Sequence, residues 1–278
     1  MIKPSDGNGK IGIFDSGLGG LVIARAIFKL MPQYDFVYLG DTKNLPYGNR
    51  PKKEVYNFTR KAVEYLFKQD CRLVVLACNT ASALALRRIQ REFLPKYYPD
   101  RRVLGVVIPT LEQADKKHSS EVIGVLATEA TVDSHIYKKE LVKIDPRAKI
   151  FEVAAPKLVT LIEQNSLQKA ENSLKSYLKP LLSKNIEALI LGCTHYPLLS
   201  SEIKKLAGNN VRVVSQTNFI PDKLKDYLSR HPEIRTKLSR RGKREFLITS
   251  YNKNFNAVAK RLFGKKLYFE EIVVSYET

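Results

Sequence analysis

The stretch LVVLACNTASALAL, Leu73 to Leu86, decides the fold class. Leu73 to Ala77 is an apolar run rich in Val and Leu and too short for a helix, so it reads as a strand buried on both faces of a parallel sheet. Ala81 to Leu94 opens with good helix formers and predicts a helix. Cys78, Asn79 and Thr80 fall between them, where the strand ends and the helix begins. In open α/β sheets ligands bind outside the carboxyl ends of the strands. A helix N-terminus there stabilises negative charge, including a thiolate or a substrate carboxylate. Cysteine is also among the most buried residue types and often serves as a small hydrophobe. On this stretch alone both readings of Cys78 stand.

The same alternation runs outward in both directions. Lys10 to Phe14 predicts a first strand, followed by the Gly-rich turn Asp15-Ser16-Gly17-Leu18-Gly19-Gly20 and a helix, LVIARAIFKL, ended by Met31-Pro32. The turn does not meet G-x-G-x-x-G, and no acidic residue ends a second strand as a dinucleotide site requires, so nucleotide binding is not indicated. Its glycines still allow close approach to the backbone. Tyr34 to Leu39 predicts a second strand running into the polar loop Gly40 to Arg50, with Pro46-Tyr47-Gly48. Glu54 to Gln69 predicts an amphipathic helix. Strands are expected at Val103–Ile108, Glu121–Ala127, Lys149–Ala154, Ile186–Gly192, Val211–Val214, Phe246–Thr249 and Ile272–Val274. Helices are expected after Thr131, over Pro156–Gln164 and Ala170–Asn185, from Cys193 onward, and around Pro221–Ser229 and Asn256–Phe263. Strands alternating with helices mark an α/β fold of mainly parallel sheets flanked by helices.

The bulk composition narrows the function classes. A chain of 278 residues can bury one large core or two smaller ones. Cys71, Cys78 and Cys193 are a low, odd set without short spacings, which argues against a disulfide framework or a zinc site and predicts a reducing, cytoplasmic setting. The opening MIKPSDGNGK lacks an apolar core, and no apolar run approaches the roughly 18 residues of a membrane span. The unusual quantity is charge: 47 Lys and Arg against 28 Asp and Glu give +19. The excess thickens at Arg87–Arg102 and Arg230–Arg244. Neither run matches a nucleic-acid-binding motif, so a nucleic-acid partner is not supported by motif, and a solvated basic surface is the expectation. Cys71 has no chemical partner near it in sequence and is expected to be structural.

The two halves echo each other. IGIFDSG at Ile11–Gly17 matches IGVLATE at Ile123–Glu129, and VVLACNT at Val74–Thr80 matches LILGCTH at Leu189–His195. A period this long predicts two related α/β lobes rather than a solenoid, and equivalent lobes facing across a cleft would set Cys78 and Cys193 on opposite sides of one ligand. Three chemistries compete for two such thiols. A redox couple lacks C-x-x-C and needs close approach. An acyl-transfer nucleophile with His195 as base leaves the other thiol unused. An acid and a base on opposite faces of a carbon acid uses both, one thiolate removing a proton while the other thiol delivers one. Asp15 and His195 are the groups placed to tune them.

Five ordered segments, IGIFDSGLGG, GDTKNLPYG, LACNTASALAL, IGVLATEATV and LGCTHYPLL, resemble the glutamate racemase family of the aspartate/glutamate racemase superfamily, and the tail REFLITSYNKNFNAVAKRLFG resembles that family's end. The resemblance implies two lobes, residues 1–105 plus 218–278 and residues 106–217, with the active site between them. It implies interconversion of L- and D-glutamate for peptidoglycan synthesis without a cofactor or metal, by a homodimer. Cys78 would deprotonate the D-isomer and Cys193 the L-isomer, with Asp15, His195 and Glu163 assisting. Substrate contacts would come from Asp15, Ser16, Tyr47, Gly48, Asn79, Thr80, Thr194 and His195. An aspartate racemase and a basic binding protein on the same fold are the alternatives. This chain departs from the family pattern at Ala154-Ala155-Pro156, where many members read ACP, and at Val214-Ser215-Gln216-Thr217, where many read VDSG.

Overall fold

The computed structural model describes residues 7–115, 122–251 and 254–275, and their strands form two parallel sheets. The first has six strands in the order β10-β9-β2-β1-β3-β4: β1 Lys10–Asp15, β2 Phe36–Gly40, β3 Cys71–Leu76, β4 Arg102–Gly105, β9 Arg244–Ile248 and β10 Glu270–Glu271. The second has four in the order β6-β5-β7-β8: β5 Val122–Ala127, β6 Lys149–Ala154, β7 Ala188–Gly192 and β8 Arg212–Val214. The order β2-β1-β3-β4 thus recurs as β6-β5-β7-β8, with β1 and β5, and β3 and β7, in equivalent places. This is the echo of the sequence in three dimensions. The tail returns to the first sheet, adding β9 beside β2 and β10 beside β9.

β1 and β5 are buried on both faces, which is why they read as unbroken apolar runs. Ile11 and Ile13 of β1 and Ile123 and Val125 of β5 enter one continuous apolar cluster that joins the two sheets. Phe14 turns to a second cluster on the outer face of the first sheet, and Leu126 to a third on the outer face of the second. Cys71 belongs to the outer layer of the first sheet, a free thiol that burial pushes well above its ordinary pKa, as its structural reading requires.

Four expectations need correction. The apolar run Val103–Ile108 is not all strand: β4 stops at Gly105 and a helix runs Val107–Ala114, with Pro109 in its first turn, where a missing N–H costs nothing. The helix of Ala81–Leu94 is instead Asn79–Leu84, then Leu86–Arg88, a wide π-turn at Ile89–Phe93, and Leu94–Tyr97. Pro95 explains the wide turn, since it cannot donate to the carbonyl four residues back. The last strand lies at Glu270–Glu271 rather than Ile272–Val274; Ile272 and Val274 pack into the core, but the ladder has ended. The helix expected at Cys193 begins as a 3-10 turn at Tyr196–Leu199 and becomes α-helical at Ser200–Ala207. Glu121, expected to start β5, lies outside the described residues. Among the described residues no helix is long and apolar enough to cross a membrane.

The loop after β2 is pinned from inside. Asp41 is fully buried and accepts from Tyr47 Oη at 2.6 Å, Thr249 Oγ1 at 2.8 Å and Asn44 Nδ2 at 3.0 Å. One carboxylate therefore ties the loop carrying Tyr47 and Gly48 to the end of β9. Asp41→Ala leaves two buried hydroxyls without their acceptor and is expected to cost on the order of 3 kcal/mol of stability, measured by urea unfolding. A loss below about 0.5 kcal/mol, the size of an ordinary surface substitution, would contradict this role.

Candidate active site

Both thiols end a central strand. Cys78 follows β3 and Cys193 follows β7, and each adjoins the end of the strand beside it, β1 or β5. The two carboxyl edges face one another and bond across the junction. Thr194 Oγ1 donates to Asp15 Oδ1 at 3.2 Å, and the Thr80 hydroxyl lies 2.9 Å from that of Thr128. The space left between them is a small cavity lined by Ser16, Tyr47, Gly48, Cys78, Asn79 and Thr80 on one side and Thr128, Cys193, Thr194 and His195 on the other. Every residue expected at the site, except Asp15 and Glu163, lines it. Those two stand directly behind: Asp15 holds Thr194, and Glu163 Oε1 lies 2.6 Å from His195 Nε2.

The approach of the two edges depends on missing side chains. A methyl group on Gly19 would run into the Thr194 hydroxyl and come within 2.7 Å of the His195 ring, and one on Gly48 would come within 2.6 Å of Thr128. The Gly-rich turn after β1 therefore admits the opposite sheet edge to its backbone.

The thiols occupy unlike surroundings. Cys78 caps the helix Asn79–Leu84: its sulfur accepts from the Ala81 N–H at 3.5 Å and lies 3.3 Å from the Ser16 hydroxyl. Burial, aided by the charge of Asp15, pushes its pKa up to about 12 against these two hydrogen bonds, which favours the thiol at Cys78. Cys193 lacks a helix directly behind it, and its partner is the His195 ring, with Nδ1 3.7 Å from the sulfur. Burial disfavours the protonated ring, yet hydrogen bonds and charge from Cys193 and Glu163 outweigh it and carry the His195 pKa well above the ordinary imidazole value. As an imidazolium, His195 donates from Nδ1 to Cys193 and from Nε2 to Glu163. Its charge stabilises a thiolate beside it. Burial raises the Asp15 carboxyl above its usual range, against the charge of His195 and donors from Gly20, Gly17 and Thr194.

The described lining contains no lysine or arginine. An anionic ligand would be held by hydroxyls, side-chain amides and backbone N–H groups. Neither basic run lines the cavity; Arg87 pairs with Glu140, Arg88 with Glu92, Arg101 with Asp70 and Arg230 with Asp226. Among the described residues no cluster of His, Cys, Asp or Glu could hold a metal ion.

Sequence reasoning gave no role to Thr128, Thr131, Gln216, Tyr137 or Thr110. Thr128 stands where Ser16 stands in the first repeat, and the echo carried that signal. Thr131 follows one helical turn later, with its hydroxyl 2.9 Å from that of Thr128. Gln216, Tyr137 and Thr110 reach the site only through Asn79 and have no signal in sequence spacing.

The model of the Asp/Glu/hydantoin racemase family matches residues 23–219. A glutamate racemase of Roseobacter denitrificans is 42% identical over a match covering 81% of this chain and 87% of that one. A glutamate racemase isoform of Bacillus anthracis has a crystal structure that superposes with a TM-score of 0.85 at 32% identity, covering 96% of this chain and 98% of that one. The structure of the Francisella tularensis glutamate racemase in complex with D-glutamate gives a TM-score of 0.86 at 27% identity, covering 97% and 99%.

Because the folded pKa of His195 lies above the unfolded value of about 6.5, its protonation stabilises the fold. That contribution is fully present below the unfolded value and is lost as pH rises through the folded one. Glu163→Gln removes a negative partner. The imidazole titration of His195, followed by NMR, should move to lower pH, and the alkaline loss of stability should move with it. A midpoint that stays or rises would contradict the pairing.

Proposed function

The chain belongs to the Asp/Glu/hydantoin racemase family, and from that premise we propose that it interconverts L- and D-glutamate by proton transfer between two thiols. The observation that carries this reading is the pair Cys78 and Cys193, set at equivalent strand ends on opposite walls of one cavity. The likeness to glutamate racemases over most of the chain supports glutamate as the substrate.

In the L-to-D direction the Cys193 thiolate takes the α-proton. The bond electrons stay on the α-carbon as a carbanion-like centre, and Cys78 gives its proton to the opposite face. The cycle ends with a thiol at Cys193 and a thiolate at Cys78, and the D-to-L direction runs from that state. Asp15 assists at Cys78, and His195 with Glu163 assists at Cys193. Preorganised donors at Ser16, Asn79, Thr80 and Thr194, with the Tyr47-Gly48 loop, hold the carboxylates and stabilise the developing charge. The resting protonation described above, thiol at Cys78 and imidazolium beside Cys193, supports this assignment. In this reading the two sheets centre two lobes, residues 1–105 with 218–278 and residues 106–217. The protein works in the cytoplasm as a homodimer and supplies D-glutamate for peptidoglycan.

Incubated in D2O without any added cofactor, the reduced protein should exchange the α-proton of L- and D-glutamate, read by proton NMR, and exchange aspartate far more slowly. Cys78→Ser and Cys193→Ser, nearly isosteric, should each abolish net racemisation while unfolding within a few degrees of the parent. Full racemisation by either variant would contradict the two-thiol mechanism.

A further inference from the structure

Asn79, next to Cys78, is gripped from outside the cavity by a buried polar chain. Its Oδ1 accepts from Tyr137 Oη at 2.7 Å and from Gln216 Nε2 at 2.6 Å, while its Nδ2 donates to Gln216 Oε1 at 3.1 Å. Gln216 Nε2 also donates to Thr110 Oγ1 at 3.2 Å, and Thr110 Oγ1 in turn donates to the Val106 carbonyl. All four side-chain residues are buried, none more than 3% exposed. The bonds join Asn79 of the first sheet's helix Asn79–Leu84 to the helix Ile136–Ile144, the 3-10 turn Gln216–Asn218 and the helix Val107–Ala114.

We infer that Gln216 is a positioning residue that fixes the side-chain amide of Asn79 so that an N–H, not a carbonyl, is left for a carboxylate in the cavity. The inference rests on the amino-acid substrate proposed above. Its logic is one of hydrogen-bond polarity and starts at a group that cannot flip. A backbone carbonyl only accepts, so the Thr110 hydroxyl must spend its proton on Val106. Thr110 Oγ1 then can only accept from the Gln216 amide, and the nearer atom there must be nitrogen. With both Nε2 hydrogens used, on Thr110 and on Asn79 Oδ1, Gln216 Oε1 faces Asn79 Nδ2. Asn79 Oδ1 takes its second bond from Tyr137, which fills both lone pairs. One Nδ2 hydrogen of Asn79 remains without a partner among the described residues, on a side chain that lines the cavity. A flipped Asn79 would meet a carboxylate with its carbonyl and repel it.

Gln216→Glu replaces the donating amide by a group that only accepts when ionised, sets an oxygen against Asn79 Oδ1 and so breaks the amide pair that fixes Asn79. Gln216→Met removes the grip without adding a charge. KM for both enantiomers of glutamate should rise about tenfold or more in Gln216→Glu and less in Gln216→Met, with any fall in kcat smaller than the rise in KM. Thr110→Val should raise KM, and Thr110→Ser, which keeps the hydroxyl, should restore it. A merely structural role would lower melting temperature and kcat while leaving KM unchanged, and that pattern would overturn the inference. A parent protein inert toward glutamate would instead overturn the proposed function, and a turnover-independent measurement then decides the clamp. In the 15N-labelled, ligand-free protein the side-chain amide protons of Gln216 should exchange slowly with water, and distinctly faster in Thr110→Val. Equal exchange in the two would overturn it.

Discussion

Asp15 takes a hydrogen bond from Thr194 across the junction of the two sheets, and the rest of the site depends on that contact being possible. Two carboxyl edges meet there, one carrying Cys78 and the other Cys193. Parallel strands end with their last residues pointing at the same edge, so each sheet delivers its thiol to the same kind of place. The junction closes because Gly19 and Gly48 have no side chain to hold the edges apart. The shared apolar cluster beneath, with Ile13 from one sheet and Val125 from the other, keeps the edges in register.

Closing the junction has an electrostatic consequence. Asp15, Glu163, His195 and both thiols are nearly out of water, and burial penalises each charge unless a partner offsets it. The two sides resolve this differently. At Cys193 the imidazolium of His195 lies between the sulfur and Glu163. At Cys78 burial and then the charge of Asp15, of the wrong sign for a thiolate, favour the protonated sulfur. A symmetric scaffold thus presents one thiol that holds its proton and one beside a cation. The backbone repeat supplies the geometry, and residues that differ between the repeats, His195 against Thr80 above all, supply the difference in surroundings.

Strands buried on both faces were legible as continuous apolar runs, and Leu73–Ala77 was expected within one residue of the observed end; Lys149–Ala154, a half-buried edge strand, was also expected at its observed bounds. The same signal misled at Val106–Ile108, where β-branched residues lead into a helix and the apolar cluster between the two sheets buries Val106 and Val107. The placement of Cys78 and Cys193 came from the echo between halves. Glu163 entered only as a helper implied by the family resemblance, and its pairing with His195 was not legible from spacing, since a separate helix brings Glu163 in. Gln216, Thr110 and Tyr137 stayed invisible because their contacts with Asn79 link four elements far apart in sequence, and nothing local in their composition marks them.

The central claim is that two distinct thiols handle the proton, each on its own face. A thiol carries one exchangeable hydrogen, so in D2O the Cys78 thiol is filled with deuterium before L-glutamate binds, while Cys193 meets it as the thiolate. The most direct measurement is the early time course of L-glutamate in D2O, following deuterium separately in both enantiomers. The account predicts deuterium in the D-glutamate formed, while the unreacted L-glutamate keeps its original hydrogen. Deuterium entering the L-glutamate pool as fast as D-glutamate appears would indicate a single base serving both faces, and would contradict it.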